Sequence, residues 1–217
     1  MDILVNGILL GLAYCLIAVG MALILGVAKV FDLVYASYYT VAAYAVVILT
    51  GAWGPHVSLG ILFAIGLIAA VAVALGTHNY LILPIRKQPN AVLVSTMAVA
   101  MIIQELLIFK EGSEPKHLPA LIGGASNVFG VWVTNQKLLA GAVTVMMIGL
   151  LWIFFTRTRL GLAIRATAEQ PEAMELAGGS IRKVCLSAAA LSAVVAAWGA
   201  CFWPPLSLPT PTLGWIC

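Results

Sequence analysis

Six long apolar stretches, about 3–28, 33–50, 57–80, 91–109, 134–155 and 184–204, alternate with short breaks that carry charge, glycine or proline. Each approaches the roughly 20 residues a helix needs to cross a hydrocarbon layer. A backbone surrounded by lipid must satisfy its own N–H and C=O groups, and uninterrupted apolar runs do so as helices. The pattern therefore predicts an all-α fold: a polytopic bundle of about six transmembrane helices. The start, Met1-Asp2-Ile3, lacks the basic segment of a signal peptide. Its apolar run also outlasts the core of one, so the first stretch reads as a retained membrane helix. No internal repeat and no linker divides the chain, and residues 1–217 read as one transmembrane domain.

The break from Thr158 to Gly179 differs in texture. Its charged residues Arg159, Arg165, Glu169, Glu172 and Glu175 sit on alanine-rich, helix-favouring text. Leu162, Ala163, Ala166, Ala173, Met174 and Ala177 recur near the helical period and predict one apolar face. Pro171 is excluded from a helix interior but suits the first turn of a new helix. The expectation is two short helices, 159–169 and 171–177, with Glu172 at the favourable N-terminal end of the second. Gly178-Gly179 then supplies a left-handed stop. A short rigid amphipathic element of this kind suits a partner's groove. An ordinary solvated loop would accommodate the arginines alone; the helical text, proline placement and double glycine favour docking.

Composition removes whole classes of function. Of 217 residues, 63% are hydrophobic and 9% charged, with a mean hydropathy of +1.08. Soluble domains carry about 25% charged residues, so a soluble domain is excluded. The net charge of +3 comes without a basic run, which argues against nucleic acid as a partner. Alternating the spans places Lys29, Arg86, Lys87, Arg157, Arg159, Arg165, Arg182 and Lys183 on one side, and Lys110, Lys116 and Lys137 on the other. Basic loops favour the cytoplasm. The N-terminus is therefore expected outside, the Thr158–Gly179 segment inside between the fifth and sixth helices, and the loop from Lys110 to Gly130 outside, available to a partner there.

Catalytic chemistry finds no foothold. The chain holds no phosphate-binding G-x-x-x-x-G-K-[ST], no H-E-x-x-H, no G-x-S-x-G and no carboxylate cluster, so neither catalytic residues, cofactor nor metal is expected. Cys15, Cys185, Cys201 and Cys217 show no metal or redox spacing and read as small apolar residues. His56, His78 and His117 lie at loop edges and read as interfacial. Gln104 and Glu105 lie near the outer end of the fourth span, where a polar group at depth points to a pathway and Glu105 can snorkel outward. Asp32, at the edge of the second span, is expected to cap it. Gly7 with Gly11, and Ala189, Ala193 and Ala197, offer small-residue stripes for helix packing.

Several motifs together resemble one family. Glu172-Ala173-Met174-Glu175-Leu176-Ala177-Gly178 resembles the E-A-A-x-x-x-G motif of ABC importer permeases. The run from Thr158 to Glu169 resembles the T-R-x-G-x-A-x-R-A stretch of the branched-chain amino acid permeases. Asn6-Gly7 through Gly11 to Tyr14 is similar to that family's N-G-x-x-x-G-x-x-Y. Ser95-Thr96 followed by Gln104 is similar to its T-x-G-x-x-x-x-x-Q, and Pro209 to Gly214 loosely to its P-T-x-G. Two departures stand out. Asp32-Leu33-Val34-Tyr35-Ala36 occupies the place of the family's N-F-A-H-G, and the chain stops at Cys217, ahead of the family's later helices.

The resemblance implies a permease subunit in the lipid of a bacterial inner membrane, passing branched-chain or related amino acids. It implies a second permease subunit, two cytoplasmic ATP-binding subunits and a periplasmic solute-binding protein as partners. Arg165, Glu169, Glu172, Ala173 and Gly178 would then dock the ATPase, and Thr96 and Gln104 would border the pathway. A stand-alone ion-coupled transporter or channel remains the alternative from another class, and a non-functional shortened permease a third. The scarcity of ionisable groups inside the spans argues against proton coupling.

Overall fold

The computed structural model describes residues 2–53, 59–86, 88–112, 125–128, 131–176 and 178–202. Helices dominate them: α1 (Asp2–Ala28), α2 (Tyr35–Trp53), α3 (Leu59–Thr77), α4 (Leu83–Ile85), α5 (Pro89–Glu111), α6 (Asn135–Arg157), α7 (Arg159–Glu169), α8 (Pro171–Leu176) and α9 (Ile181–Phe202). Among the described residues, five segments are long and apolar enough to cross a membrane: Ile3–Ala28, Gly60–Ile85, Pro89–Lys110, Asn135–Arg157 and Ile181–Ala200. The second predicted span is a shorter apolar helix, Tyr35–Thr50. The chain is thus a polytopic helical membrane bundle.

That shorter helix sits at the centre. The main core joins Ile24 of α1, Val34, Tyr35, Tyr38, Ala42 and Ala43 of α2 and its approach, Ala70 and Ala74 of α3, and Ala193, Ala196, Ala197 and Ala200 of α9. The lipid supplies no hydrophobic force between helices, so close backbone approach over small side chains carries the association. Ala189, Ala193 and Ala197 are all buried, as their spacing predicted. Gly7 and Gly11 are not part of this packing: both are exposed, and a side chain at either would meet nothing. The close approach of α1 falls at Gly20 instead, against the Tyr35 ring.

Two boundaries differ from expectation. The third span does not end at residue 80; a π turn, His78–Ile82, carries α3 on into α4. Pro84 marked the coming break, yet the wider turn carries the helix past it, with the Leu83 N–H bonded to the His78 carbonyl. The second difference is a small antiparallel hairpin, β1 (Ala125–Val128) paired with β2 (Val131–Thr134), in an otherwise helical fold. Val133 of β2 is buried against Leu9 and Ala140, pinning the hairpin to the ends of α1 and α6. The β-branched and aromatic run Val131-Trp132-Val133-Thr134 carries the strand signal, hidden beside a much longer apolar helix.

Candidate functional site

Thr158 makes the corner from which the charged segment starts. Its backbone is extended, so α6 stops there. Its hydroxyl donates to the Phe154 carbonyl at 2.7 Å and accepts the Gly161 N–H at 3.0 Å, capping α7. Gly161 is the only kind of residue that fits this corner: a Cβ there would stand 2.5 Å from the Phe154 carbonyl oxygen and 2.7 Å from the Phe155 Cα. The glycine of the T-R-x-G text thus has a steric cause.

α7 then lies along the bundle. Gly161, Ile164 and Thr167 are its buried positions. Ile164 packs with Val27 of α1 and with Ile181, Val184, Cys185 and Ala188 of α9. This corrects the apolar face read from Leu162 and Ala166, since both are exposed and Ile164 and Thr167 point inward instead. A face only three residues wide is settled by the contour it rests on, which the helical period alone does not reveal. Leu160, Leu162 and Leu176 are left uncovered, at 55%, 61% and 90% exposure.

The remaining landmarks fall where the sequence put them. α7 ends at Glu169, Gln170 takes an extended backbone, and Pro171 opens α8 with Glu172 in its first turn. Gly178 adopts φ +80°, and the Gly179 N–H closes back on the Met174 carbonyl at 2.9 Å. Arg165, Glu169, Glu172 and Gly178 are exposed, so the segment presents leucines and both signs of charge outward. Ala173 lies within α8, and Ala177 lies outside the described residues.

The two pathway candidates do not come together. Thr96 is fully buried and its hydroxyl donates to the Leu93 carbonyl of its own helix. Gln104 is half-buried two turns further along α5, about 12 Å away at 1.5 Å per residue. Glu105 is exposed, as expected of a residue that snorkels.

A second polar site escaped the sequence. Asp32, expected to cap α2, stands three residues before the helix begins and does accept the Val34 N–H at 2.9 Å. It is nevertheless fully buried, and its other oxygen accepts the Tyr38 hydroxyl at 2.9 Å. Tyr38 also lies 2.8 Å from the Thr77 hydroxyl, and His78 Nδ1 stands 3.8 Å from the Asp32 carboxylate. His78 is 1% exposed, which corrects its reading as an interfacial histidine; His56 and His117 lie outside the described residues. Asp32 and His78 are far apart in sequence, so no local spacing marks the cluster. The available signal was a carboxylate inside apolar text, where ionisable groups default to function.

Burial pushes the Asp32 carboxyl from 3.8 up to about 6, against the opposing hydrogen bonds from Tyr38 and the Val34 N–H. The folded chain therefore holds a proton between about pH 4 and 6 that the unfolded chain releases. Stability from this group rises as pH falls through that window and is lost as pH climbs above 6. Wild type should gain up to about 3 kcal/mol over Asp32→Asn on acidification, at about 1.4 kcal/mol per unit. Thermal unfolding in detergent on either side of the window measures it, and a constant gap between the two proteins would contradict a buried, raised carboxyl.

Comparison with known proteins adds kinship. The family described as branched-chain amino acid transport system / permease component matches residues 3–207. The high-affinity branched-chain amino acid transport system permease protein BraD of Pseudomonas aeruginosa is 26% identical over 206 residues, covering 89% of this chain and 67% of BraD. The corresponding permease protein LivH of Salmonella typhimurium is 27% identical over 208 residues, covering 88% of this chain and 66% of LivH. LivH of Escherichia coli K12 is 26% identical over 205 residues, covering 88% and 66%. The chain thus spans about two thirds of the length of the curated relatives it matches. No solved structure shows a significant match.

Proposed function

The chain belongs to the branched-chain amino acid transport system permease family, and on that premise we propose that it is a membrane-spanning subunit of an ATP-binding-cassette importer. Its substrates are branched-chain amino acids or close relatives, delivered by a periplasmic solute-binding protein. It works beside a second permease subunit and two ATP-binding subunits, in a bacterial inner membrane with its N-terminus outside. The relatives are named as permeases of transport systems, which lends nothing to the stand-alone transporter reading.

The observation that supports this most directly is the α7–α8 segment. It is built as two short helices with defined stops, packed on the bundle through Ile164, and it exposes Leu160, Leu162, Leu176, Arg165, Glu169 and Glu172. The exposed leucines offer a partner's groove apolar contact, and the flanking charges fix register through charge-assisted hydrogen bonds. Closure of the partner ATPases on ATP would then displace the segment and bias the bundle between two states. The ATP chemistry belongs to the partner.

The test is recovery of a candidate ATP-binding subunit with affinity-purified permease, wild type against Glu172→Lys combined with Gly178→Val. The pair reverses one exposed charge and forces a β-branched residue into a left-handed backbone. We expect at least about tenfold less ATPase, from a loss on the order of 1.4 kcal/mol or more in the contact. Equal recovery would end the docking role. Binding-protein-dependent uptake of leucine, isoleucine and valine into vesicles tests the substrate class separately.

A further inference from the structure

We infer that Asp32, Tyr38, Thr77 and His78 are positioning residues that pass displacement of the α7–α8 segment to the α2–α3 pair at the heart of the bundle. This rests on the permease reading above and adds the route by which a push at the surface reaches the core.

The route is continuous. Immediately after the Gly178-Gly179 stop, α9 begins at Ile181, which shares a small core with Ile164 of α7 and with Leu83 of α4. Its next residue, Arg182, donates from Nη2 to Asn79 Oδ1 at 2.7 Å. Asn79 lies in the π turn, so both the polar and the apolar contact of the first turn of α9 grip the end of the third span. A π turn has one residue more per hydrogen-bonded ring than an α turn, and such turns cluster at functional positions. Here His78 opens the turn and Thr77 precedes it, and these are the two groups facing Asp32 and Tyr38.

The hydrogen-bond arithmetic of the cluster leaves one contact unmade. A carboxylate only accepts, so the single Tyr38 proton goes to Asp32 at 2.9 Å, and the phenol oxygen is left to accept. The Thr77 hydroxyl has one proton for three neighbours: Tyr38 at 2.8 Å and the Val73 and Ala74 carbonyls at 2.9 and 3.0 Å. His78 Nδ1 has no hydrogen-bond partner among the described residues, and at 3.8 Å it falls short of one to Asp32. An unpaired buried nitrogen beside a carboxylate is costly, and a shift of the π turn by less than 1 Å would pair it. The proposed relay works between this observed arrangement and a second one that the unpaired nitrogen invites. In the observed one Thr77 holds Tyr38; in the other His78 closes on Asp32. A displacement of Arg182 selects between them through Asn79. In the proposal, this pair of arrangements is the two-state element that a route needs beyond adjacency.

The experiment uses the full chain co-purified with its ATP-binding subunits and reconstituted with a solute-binding protein, with radiolabelled leucine as the probe. The readout is leucine imported per ATP hydrolysed, which a loss of folding alone leaves unchanged because it removes both activities together. Asp32→Asn and Asn79→Ala should each retain ATPase recovery and hydrolysis while lowering this ratio about fivefold or more. Asn79→Asp, which keeps an acceptor for Arg182, should retain the ratio. Asn79 lies at the bundle's edge, so Asn79→Ala decides the matter even where Asp32→Asn fails to fold. An unchanged ratio in Asn79→Ala, or uptake and hydrolysis falling in step, overturns the inference. A wild type that recovers no ATPase overturns the permease reading itself, and the relay with it.

Discussion

Alanine at Gly161 is expected to break the α6–α7 corner and to abolish recovery of an ATP-binding subunit. The new methyl would stand 2.5 Å from the Phe154 carbonyl oxygen and 2.7 Å from the Phe155 Cα. Both are backbone atoms, so no rotamer change relieves the overlap and the chain itself must move. Moving it pulls Thr158 away from the Gly161 N–H and the Phe154 carbonyl that its hydroxyl now joins. Overpacking of this kind costs about 1–3 kcal/mol, and more where relief is blocked; the lost cap adds about 1 kcal/mol. The bundle itself is large enough to survive, because its main core lies in α2, α3 and α9. What fails is the seat of α7 on Ile181 and Val184. Limited proteolysis should cut the Thr158–Gly179 segment at least about tenfold faster, local opening by 1.4 kcal/mol being enough for that. Thr158→Ala should show the same effect more weakly. Unchanged protease resistance together with unchanged ATPase recovery would refute the steric account.

The contrast between the two polar sites explains what was legible. The charged segment is a local object: its cap, proline and glycines act within a turn of where they stand. Thr158, Glu169, Pro171 and Gly178 therefore fall where the text placed them. The buried cluster is a non-local object. Asp32 read as a cap because its bond to the Val34 N–H is local, whereas its bond to Tyr38 and the approach of His78 depend on how α2 meets the end of α3. The inward face of α7 was missed for the same reason, since the surface beneath it chooses Ile164 and Thr167. Small-residue stripes show both outcomes. The alanines of α9 pack as expected, while Gly7 and Gly11 meet nothing and Gly20, which stands in no stripe, bears the close contact. In lipid a glycine or alanine marks where approach is permitted, and the partner surface decides where it happens.

Gly20 supports the second large effect. A Cβ there would overlap the Tyr35 hydroxyl and stand 2.8 Å from its Cζ and 3.1 Å from its Cε2. Elsewhere a ring would swing aside. Tyr35 is 4% exposed, and its ring meets Tyr38 edge-on with centroids 6.2 Å apart. Tyr38 is itself held by Asp32, so the ring is wedged between α1 and a fixed neighbour. Gly20→Ala should therefore destabilise the bundle by about 2–3 kcal/mol, despite alanine's better helix propensity. In a Tyr35→Ala background the obstacle is gone, and the same substitution should become neutral or stabilising by up to about 1 kcal/mol. Tyr35→Phe should give partial relief, because the carbon at 2.8 Å remains. The change of sign is the diagnostic result, since a generic defect in α1 would cost the same in every background. Thermal unfolding in detergent of the six proteins, Gly20 and Gly20→Ala in each of the three Tyr35 backgrounds, measures it, and a constant penalty would remove Tyr35 as the cause. A reversal would place the α1–α2 contact under the same wedge that fixes Tyr38 against Asp32, so that loosening Tyr35 should also lower the yield of leucine imported per ATP.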